Sequence, residues 1–429
     1  MYRRHIELRI REALADTPVV FLNGARQTGK TTLARDLARN VEGATYVTLD
    51  DAASLAAVAH DPTGFVGRLR GPVVVDEVQK VPELFPAIKA SVDRDRRPGR
   101  FLLTGSADVM MLPTVSESLA GRMEILTLWP LSQGELEGVR ETFIDRLFAG
   151  EAFRVASVGP SEPAIGDRVV RGGFPEVVAR AAGRRRAAWF GSYLTAILQR
   201  DVRDLARIEG LTEMPHLLAL LAARTSGLLN MSELSRSAGI PHTTMKRYLA
   251  LLQTTFLVQL VPAWSANLGK RLVKSAKLLL CDTGLAAHLT GTESGGLETD
   301  RSRFGPLLEN FVGIELLKMA SWSDRDVKLY HYRTSSGREI GFLAEDRGGR
   351  VAAVEVKASA TVKADDFSAI RSLADALGPR LVSGVVLYTG TQVMPFGDRL
   401  TAVPVSMLWT GSGAAPPTHE PLNGEPEIP

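Results

Sequence analysis

The sequence predicts an α/β protein whose first domain is a parallel sheet with helices on both faces, and three observations carry that prediction. An apolar run, Val19-Val20-Phe21-Leu22, leads through Asn23 into Gly24-Ala25-Arg26-Gln27-Thr28-Gly29-Lys30-Thr31-Thr32, the spacing G-x-x-x-x-G-K-[ST]. A second run, Pro72-Val73-Val74-Val75, closes on two adjacent carboxylates, Asp76 and Glu77. Between residues 18 and 128, strand-like segments near 19–22, 45–49, 72–75, 101–104 and 124–128 alternate with helix-length segments such as Thr31 to Asn40 and Leu84 to Asp93. Alternation of this kind gives parallel strands joined by crossover helices, with ligands at the strands' C-terminal ends.

The elements follow in order. Residues 4 to 15 space Ile6, Leu8, Ile10 and Leu14 among charges and predict a leading helix. After the first strand, Gly24 and Gly29 let backbone N–H groups curl around phosphates where a β-carbon would intrude. Lys30 can reach the β- and γ-phosphates, Thr31 can ligate Mg²⁺, and the next helix begins with its positive dipole end toward the anion. Residues 24–32 are therefore the candidate nucleotide site, with ATP and Mg²⁺ as the expected cofactors.

The second strand, at 45–49, precedes the Walker B-like strand. There Asp76 is the candidate holder of the Mg²⁺ shell and Glu77 the candidate base for the attacking water. The strand Phe101-Leu102-Leu103-Thr104 ends in Gly105-Ser106-Ala107. Ser106 is the candidate γ-phosphate sensor, and a cap for the next helix is the competing reading. In Ser118-Leu119-Ala120-Gly121-Arg122, Arg122 is the candidate arginine finger, supplied in cis or to a neighbouring subunit. A solvated cation is the alternative there.

Residues 1–135 are expected to form this core and 136–210 a helical lid. The lid carries a turn at Arg171-Gly172-Gly173-Phe174-Pro175-Glu176, a cluster Arg184-Arg185-Arg186 read as a solvated face with a phosphate contact as the alternative, and a helical run from Trp189 to Leu205. Residues 211–295 hold a helix-turn-helix register, with Ser235 four residues before Gly239 and Met245 and Tyr248 on one helical face. In duplex DNA binding, His242, Thr243, Thr244, Lys246 and Arg247 would face the groove. A lid or a protein contact is the equal alternative. Lys270, Arg271, Lys274 and Lys277 would extend a positive surface if they share a face.

Residues 296–410 form a further unit, after the Gly-rich stretch 290–296. Its helix carries Glu309, and Glu355-Val356-Lys357 ends a strand with both charges on one face. This is the E-x-K half of a restriction-endonuclease-like site, and a surface strand with alternating charges gives the same letters. The tail 411–429 is rich in Gly, Pro, Ala and Glu and is expected to be disordered.

Composition narrows the class. A chain of 429 residues predicts about two to four domains. With 51 basic and 48 acidic residues, bulk charge gives no argument for nucleic acid, so only a local patch could. The single cysteine, Cys281, excludes an internal disulfide framework, and its apolar flank predicts a buried thiol. The first ten residues lack the apolar core of a signal peptide and no run reaches the length of a bilayer span, so a cytoplasmic location without membrane contact is expected.

With these motifs the chain resembles a prokaryotic family of AAA-type ATPases that carry a C-terminal domain of unknown function. The resemblance rests on residues 24–32, on Val75-Asp76-Glu77-Val78-Gln79-Lys80, and on Leu103-Thr104-Gly105-Ser106-Ala107. It continues through residues 118–122, 172–176, Arg200-Asp201, 277–285, 308–312 and 355–357. It implies a P-loop NTPase sheet with a helical lid, then a winged helix-turn-helix, then a restriction-endonuclease-like α/β domain. Carried over by position, Glu309, Glu355 and Lys357 fit the nuclease-like pattern. Gly341 stands where that pattern has an aspartate, which puts metal binding and cleavage in doubt, and Glu339 lies two residues away on the same face. The expected function is an ATPase that couples nucleotide state to the later modules. An ATP-gated DNA-binding regulator and a metal-dependent nuclease are the alternatives, and a duplex, a protein or a second copy of the chain is the candidate partner.

Overall fold

The computed structural model describes residues 2–106, 119, 121–150, 153, 159, 161–202, 213–267, 271, 274–334 and 337–410. The tail 411–429, Lys270 and residues 203–205 of the predicted helical run lie outside them. Five strands form the first sheet: β1 (Val19–Asn23), β2 (Thr45–Thr48), β3 (Val73–Asp76), β4 (Phe101–Thr104) and β5 (Met123–Thr127). All are parallel, in the order β2-β3-β4-β1-β5. The interior strands β1, β3 and β4 are buried, whereas the edge strands β2 and β5 are only partly covered.

Alternation splits each interior strand between two cores. Phe21, Val75 and Leu103 pack against Phe85, Ile88 and Val92 of α3 (Leu84–Arg94). Val20, Leu22 and Val74 face Ile6 at the N-cap and Ile10 within α1 (Glu7–Asp16), and Leu33 and Leu37 of α2 (Lys30–Arg39). Each such side chain contributes about 1.5–3 kcal/mol by leaving water. Because β4 inserts between β1 and β3, the loop after β1 and the carboxylates after β3 open onto one edge of the sheet.

Besides a smaller cluster around Ile340, Phe367 and Tyr388, the second half of the chain is built around a large apolar cluster that runs from Phe143 to Trp409. Helix α4 (Arg184–Ala196) adds Trp189, Phe190 and Tyr193 to it. Next come α5 (Met231–Ala238) and α6 (His242–Thr254), joined at Gly239, whose φ of 67° is a left-handed conformation that suits glycine. The Ser235 hydroxyl donates to the Ile240 carbonyl and fixes this turn. An antiparallel pair follows, β6 (Val258–Val261) and β7 (Lys277–Leu280).

The twenty-residue α7 (Arg301–Ala320) then leads into a mixed six-stranded sheet. Its strands are β8 (Val327–Arg333), β9 (Glu339–Asp346), β10 (Val351–Lys357), β11 (Leu381–Tyr388), β12 (Met394–Gly397) and β13 (Leu400–Pro404), in the order β12-β13-β11-β10-β9-β8. Helix α8 (Ser368–Leu377) covers one face through Ile370 and Leu373. Among the described residues no helix is long and apolar enough to cross a membrane.

The two halves meet through buried polar groups. Gln133 N–H donates to Glu315 of α7 at 2.9 Å, and the Lys318 ammonium donates to the Leu131 carbonyl at 2.9 Å. Gly173 lies so close to Leu131 that a β-carbon would stand 2.2 Å from the carbonyl oxygen, and its N–H donates to Asp282 at 2.7 Å. Two sequence marks, Gly172-Gly173 and Cys281-Asp282, thus touch across 109 residues.

Glu141 sits in the same layer, accepting from Gly134 N–H and the Ser132 hydroxyl, with His5 Nδ1 3.4 Å away. Burial, assisted by the nearby Glu315 carboxylate, raises its pKa from 4.5 to about 7. The folded chain therefore holds this proton more tightly than the unfolded chain. The associated stability is complete below pH 4.5 and lost as pH rises through 7. Glu141→Gln mimics the protonated form. It is expected to raise the thermal midpoint above that of wild type at pH 8, with the gap closing toward pH 4.5. A gap that does not change across that range would contradict the assignment.

Candidate nucleotide-binding site

The phosphate loop leaves β1 at Asn23 and re-enters helix at Lys30. Gly24 has φ 143°, and a β-carbon there would lie 2.2 Å from the Leu128 carbonyl oxygen. Gly29 has φ 97° and brings no side chain to cap α2, so the first-turn N–H groups face the loop without a protein cap. Gln27 also has a left-handed φ of 61°, a conformation that costs a non-glycine residue about 1–3 kcal/mol and recurs at ligand clamps. The buried Lys30 ammonium donates back to the Gly24 and Ala25 carbonyls at 2.9 and 2.8 Å. Thr28 Oγ1 donates to Ala25 at 3.0 Å.

Opposite the loop, Asp76 is fully buried and its carboxylate accepts from four hydroxyls: Thr31, Tyr46, Thr48 and Thr104. The Thr31 and Tyr46 contacts are both 3.0 Å. These donors offset the cost of taking a carboxylate out of water. Burial, then the Asp76 charge, raises the Tyr46 pKa, which keeps the phenol a donor. A threonine hydroxyl and a carboxylate beside a cradle of N–H groups fit Mg²⁺, a hard ion that takes few protein oxygens and completes its shell with water and substrate phosphate.

Glu77 follows with a left-handed φ of 61°. Its N–H donates to Thr104 Oγ1 at 3.1 Å, and its carboxylate accepts from Ser106 Oγ at 2.9 Å and Gln79 Nε2 at 2.6 Å. The structure thus brings Lys30, Thr31, Asp76, Glu77 and Ser106 to one edge of the sheet.

Arg122 is not among them. In register, Val19 pairs with Met123, so Arg122 stands at the N-terminal end of β5, about 16 Å of strand away from the phosphate loop. Its Nε bonds Asp93 at 2.6 Å. The expectation of a finger acting in cis is corrected: a residue before a parallel strand emerges on the edge opposite the ligand.

Several residues went unread in the sequence. Arg4, 7% exposed, donates to the Thr28 carbonyl at 2.7 Å and the Trp129 carbonyl at 2.6 Å, and pairs with Glu135 at 3.1 Å, so it braces the phosphate loop from behind. Preceding the first helix, between Arg3 and His5, it has the look of a solvated cation. No motif assigns a role to Tyr46, Thr48, Thr104 or Gln79, and only the fold brings them to Asp76 and Glu77.

Of the groove candidates, His242, Thr243, Lys246 and Arg247 are exposed and Thr244 is half-buried, while Met245 and Tyr248 point into the core. The predicted positive extension is corrected. Arg271 makes a two-pronged pair with Glu345, and Lys277 is buried against Glu309. Only Lys274, among the described members of that group, is exposed.

In the C-terminal sheet, Glu355 accepts from Gly341 N–H at 2.9 Å and pairs with Lys357 at 3.1 Å. Burial raises the Glu355 pKa. Cys281 is fully buried and its thiol pKa is pushed well up by burial, as expected of a packing residue.

Residues 16–137 match the AAA domain family, and residues 162–295 and 304–408 match two domains of unknown function, DUF8612 and DUF4143. An AAA-type, nucleotide-binding P-loop domain on a five-stranded parallel sheet therefore forms the first part of the chain. Uncharacterized proteins of Mycobacterium tuberculosis (Rv2008c) and Mycobacterium bovis (Mb2031c) are each 33% identical over 96% of this chain and 85% of theirs. The chain belongs to the same family as these two proteins. A RuvB structure from Thermotoga maritima overlaps 60% of this chain and 89% of its own with 19% identity and a TM-score of 0.28, which fixes neither fold nor function here.

Proposed function

We propose that the chain is a Mg²⁺-dependent ATPase in which nucleotide state is coupled to a winged-helix unit and a nuclease-like C-terminal unit. The observation that carries this reading is the convergence of Thr31, Asp76 and Glu77 beside the Lys30 loop, with Thr31 Oγ1 3.0 Å from Asp76. Lys30 and the loop N–H groups would bind the β- and γ-phosphates of the ATP substrate, and Thr31 and Asp76 would hold the metal. Bound there, Mg²⁺ would neutralise charge on the phosphate oxygens. Glu77 would orient and deprotonate the attacking water, and Ser106 would report on the γ-phosphate. The Glu77 carboxylate is held by Ser106 and Gln79, so to act on water it would have to give up one of these contacts.

A second reading, a DNA-binding switch without sustained turnover, is favoured by the exposed His242, Thr243, Lys246 and Arg247 on α6. The discriminating experiment is Mg²⁺-ATP turnover with and without duplex DNA, beside duplex binding at rising salt. Turnover raised by DNA, and lost stimulation when Lys246 and Arg247 are replaced by Ala, is the expected outcome for a coupled ATPase. Duplex binding without turnover would support the switch. Turnover indifferent to DNA, with no binding at low salt, would direct the coupling toward a protein partner.

A further inference from the structure

A metal-dependent nuclease reading requires an ion between Glu309 and the β9–β10 carboxylates, and the chain already supplies a cation there. Lys277 is the first residue of β7, and its side chain is only 1% exposed. Its ammonium bonds Glu309 of α7, lies 3.5 Å from Glu339 of β9, and stands 5.6 Å from the centre of the Phe342 ring. An ammonium this deep costs several kcal/mol in lost hydration unless it is paired, and here two carboxylates and an aromatic face share it. The remaining acid, Glu355, is engaged by Lys357 and by Gly341 N–H.

Gly341 closes the argument. A β-carbon at this position would stand 3.0 Å from Glu309 Oε1, so an acidic side chain here would be driven against a carboxylate that Lys277 already neutralises. Among the described residues no three acidic, histidine or cysteine side chains are grouped to hold a metal ion. The residues present do not fit a divalent metal.

We propose that Lys277 is the resident cation of this cluster, held in the metal's place, and that the C-terminal sheet is thereby a non-hydrolytic module fastened to the β6–β7 hairpin. The fastening is a chemical one: the lysine belongs to the hairpin, and the acids belong to α7 and β9. Removing the ammonium leaves Glu309 and Glu339 facing each other, an oxygen-rich pair suited to a hard divalent ion.

The test uses full-length, nucleotide-free protein and Mn²⁺ counted by electron paramagnetic resonance, so it stands apart from the ATPase reading. Wild type and Glu309→Gln are expected to bind the same number of Mn²⁺ ions. Lys277→Met is expected to bind one more, an increment removed in Lys277→Met/Glu309→Gln, while Lys277→Arg keeps the wild-type count. A Mn²⁺ ion lost from wild type on Glu309→Gln would overturn the proposal, and so would a folded Lys277→Met that gains none. If Lys277→Met fails to fold, the comparison of wild type with Glu309→Gln still decides.

Discussion

Replacing Glu77 by Gln is expected to leave ATP bound and to lower turnover about 10²–10⁴-fold, the contribution of a positioned general base. The geometry supports so specific an effect. Glu77 is 7% exposed, and its backbone is pinned by Thr104 while its side chain is held by Ser106 and Gln79. The amide is nearly isosteric and can still engage both neighbours, so the fold and the phosphate loop are undisturbed; only the ability to take a proton is removed. Equilibrium ATP binding together with a single-turnover assay checks this. Loss of binding in parallel with turnover, or turnover equal to wild type, would refute the assignment.

Lys30→Ala is the second large effect, and it falls on binding. The ammonium is 4% exposed and rests on the Gly24 and Ala25 carbonyls, the position from which it can swing to a phosphate. A charge-assisted contact of this kind is worth about 1.5–3 kcal/mol, which predicts a loss of ATP affinity of about 10–150-fold. Isothermal titration with ATP reads it directly. Affinity within twofold of wild type would show that the loop N–H groups suffice and that Lys30 has another role.

Legibility in the sequence divides along a physical line. Val19–Leu22, Val73–Val75 and Phe101–Thr104 are interior strands buried on both faces, so they stand out as continuous apolar runs. The phosphate loop could be read because its glycines answer to local backbone demands, visible at Gly24 and Gly29. The turn at Gly239 is legible for the same reason.

What could not be read depends on partners distant in the chain. Arg4 meets Trp129 across 125 residues, and Lys277 meets Glu309 across 32, and a sequence shows neither contact. Arg271 and Lys277 look like exposed cations until the fold places Glu345 of β9 and Glu309 of α7 over them. The distance of Arg122 from its own phosphate loop is not legible either, because the direction of a parallel strand decides which edge its preceding residue occupies.

The measurement that tests the central claim most directly is phosphate release from ATP by the wild-type chain, with Mg²⁺ present and with Mg²⁺ chelated. Steady turnover that stops on chelation and returns when Mg²⁺ is restored is predicted by Thr31 and Asp76 standing beside the Lys30 loop. Absence of turnover in saturating Mg²⁺-ATP, with and without DNA, or turnover unaffected by chelation, would contradict it.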